Sequence, residues 1–286
     1  MDIQPNRGSP GTDDWTGARG KKWLEHLSGL EQTLAPVNAP LIEALQLDRP
    51  CKIAETGCGG GATALALNER APDGSVLHGF DISASLVEAA RKRLQSPHAV
   101  FDVLDVSQET PDSVPYDRLV SRFGIMFFGD PASAFLRLAS WLTSDSRFAF
   151  AVWGPPVDNP WATVVREAVE TVVTLPSSAP DEPNLSRYAD SSVLLELLQG
   201  AGFVKVQVED WRGALPIGGG LPVAQAAEFA LSSFGSYREE LMRSSAAAFT
   251  RAREALIESF SDHLQGDEVA LQARVHIVSG EGPACK

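Results

Sequence analysis

Cysteine is scarce in this chain, with three among 286 residues, Cys51, Cys58 and Cys285. They are too scattered for a disulfide framework and form no Cys-x-x-Cys pair, so a reducing compartment is expected. The five histidines do not combine with cysteines or carboxylates at a recognisable metal-ligand spacing, and no metal is expected. Basic residues are also short, 24 against 37 acidic ones, which leaves a net charge of −13. Phosphate contacts need a basic face, so no nucleic-acid partner is expected. No apolar run approaches the roughly 20 residues of a membrane-crossing helix. The polar residues 1–14 lack the apolar core of a signal segment, so a cytoplasmic protein without a membrane partner is expected. Nothing in the sequence sets an oligomeric state.

What remains is ordinary globular composition, 44% hydrophobic and 21% charged. At this length one large domain with an inserted cap can bury a sizeable core. Its most informative stretch is Ile53-Ala54-Glu55-Thr56-Gly57-Cys58-Gly59-Gly60-Gly61-Ala62-Thr63. An apolar lead, a run of glycines and the helical pattern from Ala62 to Leu67 read as strand, tight turn and helix. Glycines permit positive φ and close approach of a ligand, and the helix start offers unpaired N–H groups, so the turn suits a nucleotide-like molecule. Glu55 narrows the choice. A carboxylate there would repel a pyrophosphate but suits a ligand carrying an ammonium or sulfonium charge.

Glu55-Thr56-Gly57-Cys58-Gly59-Gly60-Gly61 resembles the acidic-x-Gly-x-Gly-x-Gly signature of class I S-adenosylmethionine (SAM) methyltransferases, particularly the small-molecule branch of ubiquinone- and menaquinone-biosynthesis type. Residues 50–155 follow the family pattern in order, and 190–282 fit its closing elements more loosely. The resemblance implies an α/β fold: a doubly wound, Rossmann-like, seven-stranded sheet, mostly parallel with an antiparallel last strand. SAM is the implied cofactor and S-adenosylhomocysteine (SAH) its product. Glu55 would lie near the amino-acid ammonium, with Gly57, Cys58, Gly59 and Gly61 along the cofactor. Asp81 ends the second strand, Ser75 to Ile82, where an acid can accept from both ribose hydroxyls, and Ile82 would meet the adenine. Asp105 and Val106, after the strand Val100–Leu104, would contact adenine edges. Asp102 competes for that role, and the Phe-x-x-x-Asp spacing favours Asp105. From Tyr116 to Phe128 the chain resembles the fourth strand and its following loop, placing Ser121, Arg122 and Phe123 beside the cofactor.

The rest of the chain supplies helices and a pocket. Apolar positions from Trp15 to Leu47, broken by Pro36 and Pro40, predict two helices before the first strand, and 1–48 is expected to form an N-terminal arm with lid helices. Residues 49–213 and 266–286 make the expected SAM-binding core, and 214–265 a helical insertion or cap. Trp15 and Trp23 are candidate lid residues lining a substrate pocket, or equally anchors to the core. Met126, Phe127 and Phe128 are pocket or core residues, and Trp153 ends the apolar strand Phe148–Trp153, pointing to the ligand side. The family's Pro-Gly-Gly turn before that strand is replaced by Ser144-Asp145-Ser146. A Pro/Ser/Asp-rich loop spans 175–187, and Val269–Val278 alternates as a closing strand.

Methyl transfer from a sulfonium is an in-line displacement that needs chiefly binding, alignment and exclusion of water. No catalytic base is legible, and His26 and His276 are only conceivable candidates. The expected activity is methyl transfer to a small organic molecule, in cofactor or secondary metabolism. Two alternatives stand beside it: a SAM-binding protein with other chemistry or none, and, more remotely, an NAD(P)-dependent dehydrogenase. The latter shares a glycine turn and a distant acid but does not explain Glu55 or an antiparallel closing strand.

Overall fold

The structure is a computed structural model that describes residues 15–175 and 183–283. The expected arm, residues 1–14, Cys285 and most of the 175–187 loop lie outside the described residues. The main strands are β1 (Lys52–Thr56), β2 (Val76–Asp81), β3 (Ala99–Val103), β4 (Tyr116–Arg122), β5 (Leu142–Trp153), β6 (Val204–Pro216) and β8 (Glu268–Glu281), with a two-residue β7 (Leu264–Gln265). They lie in the order β3-β2-β1-β4-β5-β8-β6, and β7 forms a hairpin with β8.

The first five strands pair in parallel, while β8 runs antiparallel to both β5 and β6. This is the doubly wound α/β sheet with a reversed last strand that the sequence leads one to expect. Parallel strands are covered by helices on both faces, which is why Phe148–Val152 of β5 is apolar throughout and fully buried. Strand order turns back on itself between β1 and β4. Their carboxyl ends therefore diverge into a crevice.

Among the described residues, three helices of at least seven residues precede β1 rather than two: Ala18–Glu25, Leu27–Leu34 and Asn38–Ala44. Pro36 falls in the short 3-10 turn Ala35–Val37 that separates the last two. Pro40 does not interrupt the third helix, because it sits in the first turn, where its missing N–H has no intrahelical acceptor to lose. Ser144, Asp145 and Ser146 lie within β5 and not in a turn. Tyr116 pairs with Leu142 and Arg118 with Arg147, and this register shift takes up the extra residues.

Between β6 and β8 come three helices, Val223–Ser233, Tyr237–Ser244 and Ala246–Ser261. Apolar spacing at Val223, Ala227, Leu231 and Phe234, and again at Leu241, Phe249, Ala252, Leu256 and Phe260, shows two helical segments here. The break is at Ser245, which is extended and whose Oγ accepts from the N–H of Ala248 at 3.0 Å, a side-chain cap that starts the last helix. Behind the sheet Phe80, Tyr116 and Trp141 are fully buried, with Phe80 and Trp141 edge to face at 5.5 Å. Each such side chain contributes about 1.5–3 kcal/mol through burial.

Candidate active site

At the carboxyl ends of β1, β2 and β4 opens a cavity of about 1230 Å³, roofed by the N-terminal helices and by residues 233–243. The glycine turn forms its floor. Gly57 and Gly61 hold φ of +68° and +82°, and a Cβ on either would press within 3.1 Å of backbone, of Gly124 and of Ala90 respectively. Only glycine fits both demands. Asp81 orders this turn from the neighbouring strand: its Oδ2 accepts from the N–H of Gly59 and its Oδ1 from that of Ser83, both at 2.9 Å. Burial raises the pKa of Asp81, and these two backbone donors act against that.

Of the residues expected at the cofactor, Gly57, Cys58, Gly59, Asp81, Ile82, Asp105, Val106, Arg122 and Phe123 line the cavity. Glu55, Gly61 and Ser121 lie behind its surface. Ser121 donates through Oγ to the carbonyl of Thr56 at 2.7 Å, tying β4 to the end of β1. Asp105 is turned to the cavity by Ser107, whose N–H and Oγ both donate to its Oδ1, at 3.0 and 2.6 Å. Asp102 is spent elsewhere, on His78 at 2.7 Å and Arg91 at 3.5 Å. Burial pushes the Cys58 thiol well above its ordinary pKa, with Asp81 and Glu55 adding to the effect, so it remains protonated and contributes packing.

Glu55 is the most perturbed carboxyl beneath the turn. Burial pushes it up to about 8, Arg122 opposes this, and Asp81 and Glu31 reinforce it. Its Oε2 is buried without a hydrogen-bond partner among the described residues, and so is Oγ1 of the adjacent Thr56. Orphaned polar atoms of this kind cost about 1–3 kcal/mol each. Beside a glycine turn and an acid at the end of β2, they fit a ligand with a cationic amino-acid end. Arg122 is fixed across from Glu55 by donating to the carbonyl of Leu34 at 3.2 Å and to Asn38 Oδ1 at 3.0 Å.

The pocket candidates divide. Trp15, Trp23, Phe127, Phe128 and Trp153 line the cavity, whereas Met126 is core with no exposed surface. Phe123 takes φ +65°, a left-handed conformation that costs a bulky residue of order 1–3 kcal/mol. Its ring stacks on Trp153 at 4.2 Å and 11°, which holds it there. Neither candidate histidine reaches the cavity. His26 borders a separate shallow groove with Phe229, and His276 is buried between Asp210, at 2.6 Å, and the carbonyl of Ala189, at 3.1 Å.

Sequence reasoning missed Glu31, Trp161, Arg166, Phe234 and Tyr237, which also line the cavity. Their helices read as ordinary amphipathic segments, and only the fold turns them towards the crevice. Among the described residues there is no cluster suited to a metal ion and no helix long and apolar enough to cross a membrane.

Residues 53–145 match a family described as a methyltransferase domain. The chain is 27% identical over 187 residues to a malonyl-[acyl-carrier protein] O-methyltransferase of Magnetococcus marinus, covering 64% of this chain and 67% of that protein. It is 28% identical over 160 residues to a biotin-biosynthesis bifunctional protein of Bordetella avium, covering 56% of this chain but only 33% of the longer relative. Phosphoethanolamine N-methyltransferase 2 of Haemonchus contortus, solved with S-adenosyl-L-methionine, shares the fold with a TM-score of 0.59 at 13% identity, over 98% of this chain and 61% of that one. The glycine turn, the acid ending β2, the reversed last strand and these relatives together place the chain among the class I SAM-dependent methyltransferases.

Proposed function

We propose that this methyltransferase acts on a small organic molecule, held in the part of the cavity remote from the glycine turn, and that it serves secondary metabolism in the cytoplasm. The observation that carries the reading is the size and division of the cavity. At about 1230 Å³ it exceeds the roughly 300–1,000 Å³ of single-ligand pockets, and its two ends differ in chemistry. The curated relative named as an O-methyltransferase supports oxygen as the accepting atom.

Bound SAM supplies a methyl group already activated on a sulfonium. The chain's own residues bind and orient: Asp81 for the ribose hydroxyls, Ile82 and Val106 against the adenine, Asp105 at its edge, and Arg122, Phe123 and Gly124 along the amino-acid end. Glu55 lies one layer below. It is not exposed to the cavity, and an ammonium bound nearby favours its ionised form. Residues 15–48 and 214–265 act as roof and cap, excluding water while the acceptor is aligned.

Calorimetric titration of the purified protein with SAH, with NADH and NADPH in parallel, tests the site assignment. Saturable binding of SAH alone is expected. Turnover is then read as SAH released when small acceptors are supplied with SAM, and a failure to release SAH with any of them would overturn the small-molecule reading.

A further inference from the structure

We infer that the acceptor is a planar aromatic molecule bearing an ionised oxygen, a carboxylate or a phenolate; this rests on the methyl-transfer reading above. The wall of the cavity beyond the cofactor end is an aromatic ladder. Phe123 stacks on Trp153 at 4.2 Å, Trp153 meets Trp161 at 4.6 Å, and Trp161 meets Phe234 edge to face at 5.4 Å. All four line the cavity. Trp161 donates its indole N–H to Asn159 at 3.3 Å, which fixes the ring and leaves its π surface as its contribution to the wall. Aromatic rings favour offset or edge contacts with another ring by about 0.5–1.5 kcal/mol beyond burial, a preference an aliphatic chain does not share.

Charge is divided along the same axis. At the cofactor end, Glu31 from the roof helix and Asp81 and Asp105 from below outnumber Arg122, which suits a cationic cofactor. Around the aromatic end and roof, Arg19, Lys22, Arg166 and Arg243 line the cavity against Glu239 alone. This concentration of cations occurs in a chain of net charge −13. Arg166 pairs with Glu170 at 2.7 Å, and Arg243 with Glu240 at 2.5 Å. A guanidinium has five donors, so an arginine that is already paired can still meet a ligand anion. Tyr237 shares this end; burial raises its pKa, keeping its phenol a neutral donor beside Arg166.

An ionised oxygen also accounts for a cavity with no histidine among its described lining residues. The bond from the acceptor oxygen to the methyl carbon forms as the carbon–sulfur bond breaks, and the bonding pair goes to sulfur. Positive sulfonium and negative acceptor are neutralised together, and no proton is left to remove.

Protein saturated with SAH is titrated calorimetrically with 2-naphthoate, cyclohexanecarboxylate and 2-naphthalenemethanol. Naphthoate is expected to bind at least about tenfold more tightly than either of the others. Arg166→Gln should weaken naphthoate about fivefold or more while leaving naphthalenemethanol unchanged, and Phe234→Leu should weaken both aromatic probes but not the aliphatic acid. SAH affinity at the wild-type level certifies that each variant is folded. Equal binding of the three probes, no binding of naphthoate, or indifference to Arg166→Gln overturns the inference while leaving the methyltransferase reading intact. Absence of SAH binding by the wild type removes the reading itself, and the inference with it.

Discussion

Glu31 on the roof helix lies 2.5 Å from Arg93, and the same guanidinium donates to the carbonyl of Gly60 at 2.6 Å. One ion pair thus joins the N-terminal helices to the glycine turn. The fit is close, since a Cβ on Gly60 would meet Leu27 at 2.7 Å and Glu31 at 2.8 Å. The carboxylate is almost fully buried, so removing it leaves a partly buried guanidinium without its counter-ion. Glu31→Ala should lose about 1–3 kcal/mol in urea denaturation. SAH affinity should fall several-fold, with partial recovery in Glu31→Gln. Wild-type affinity in a folded Glu31→Ala protein would show that roof and turn are not coupled.

Asp81 orders the turn and is proposed to meet the ribose, and substitution disturbs both tasks together. Both its oxygens already accept from backbone N–H groups of the turn and of the following helix start. Asparagine can keep only one of those acceptors and adds a donor where a donor already points. Asp81→Asn and Asp81→Ala are therefore both expected to weaken SAH binding by more than tenfold, about 1.4 kcal/mol. Hydrogen exchange at Gly59 and Ser83 should quicken in both. Tight binding in either variant would remove Asp81 from the site.

The glycine-turn end of the cavity was legible because its residues are local in sequence. Glu55 to Gly61 are consecutive, Asp81 closes one strand and Asp105 follows another by two residues, and the apolar pattern of both strands is visible. The aromatic end was not. Phe123, Trp153, Trp161 and Phe234 come from four separate elements, and each alone reads as a core residue. Likewise Glu31 looks like a solvated position on an amphipathic helix until the helix is laid on the turn and meets Arg93. The end of β6 is visible only in the fold for a similar reason: residues 211–216 pair with Val275 to Ala270 of β8, a partner more than fifty residues on. At Asp102 local spacing favours Asp105 but leaves a competitor, and the pairing of β2 with β3 removes it by giving Asp102 His78 as a partner while Asp105 lines the cavity.

Glu55 sets a pH dependence. Burial raises it from 4.5 to about 8, so between those values the native state keeps a proton that the unfolded chain has lost. Stability of the ligand-free protein should accordingly be greatest near or below pH 4.5, as far as this group is concerned, and decline as pH rises towards 8. An ammonium bound nearby favours the ionised carboxylate, so SAH binding near pH 7 should release a proton, seen as a dependence of calorimetric enthalpy on buffer ionisation. Glu55→Gln should abolish that release, bind SAH more than tenfold more weakly, and raise the melting temperature of the free protein at pH 8 by about 2–4 °C, the equivalent of 1 kcal/mol in a chain of this size. A buffer-independent enthalpy in the wild type would remove Glu55 from the electrostatics of the site.

Lys22 fastens the other side of the roof. Its Nζ donates to the carbonyl of Gly235 at 2.8 Å and pairs with Glu239 at 2.6 Å, so the first helix is tied directly to the segment that roofs the aromatic end. Lys22, Gly235 and Glu239 all line the cavity, so a ligand passing this edge must part them. The pair is half exposed and therefore worth at most about 1 kcal/mol to global stability. Its effect should be kinetic. Lys22→Met keeps the packing of the stem and removes both polar contacts, and it should raise the SAH dissociation rate about threefold to tenfold while changing the melting temperature little. Added salt should speed dissociation from the wild type and leave the variant unaffected, because only the wild type has a charge pair to screen. Stopped-flow displacement measures both. Identical, salt-independent rates would mean that ligands leave by another edge of the roof.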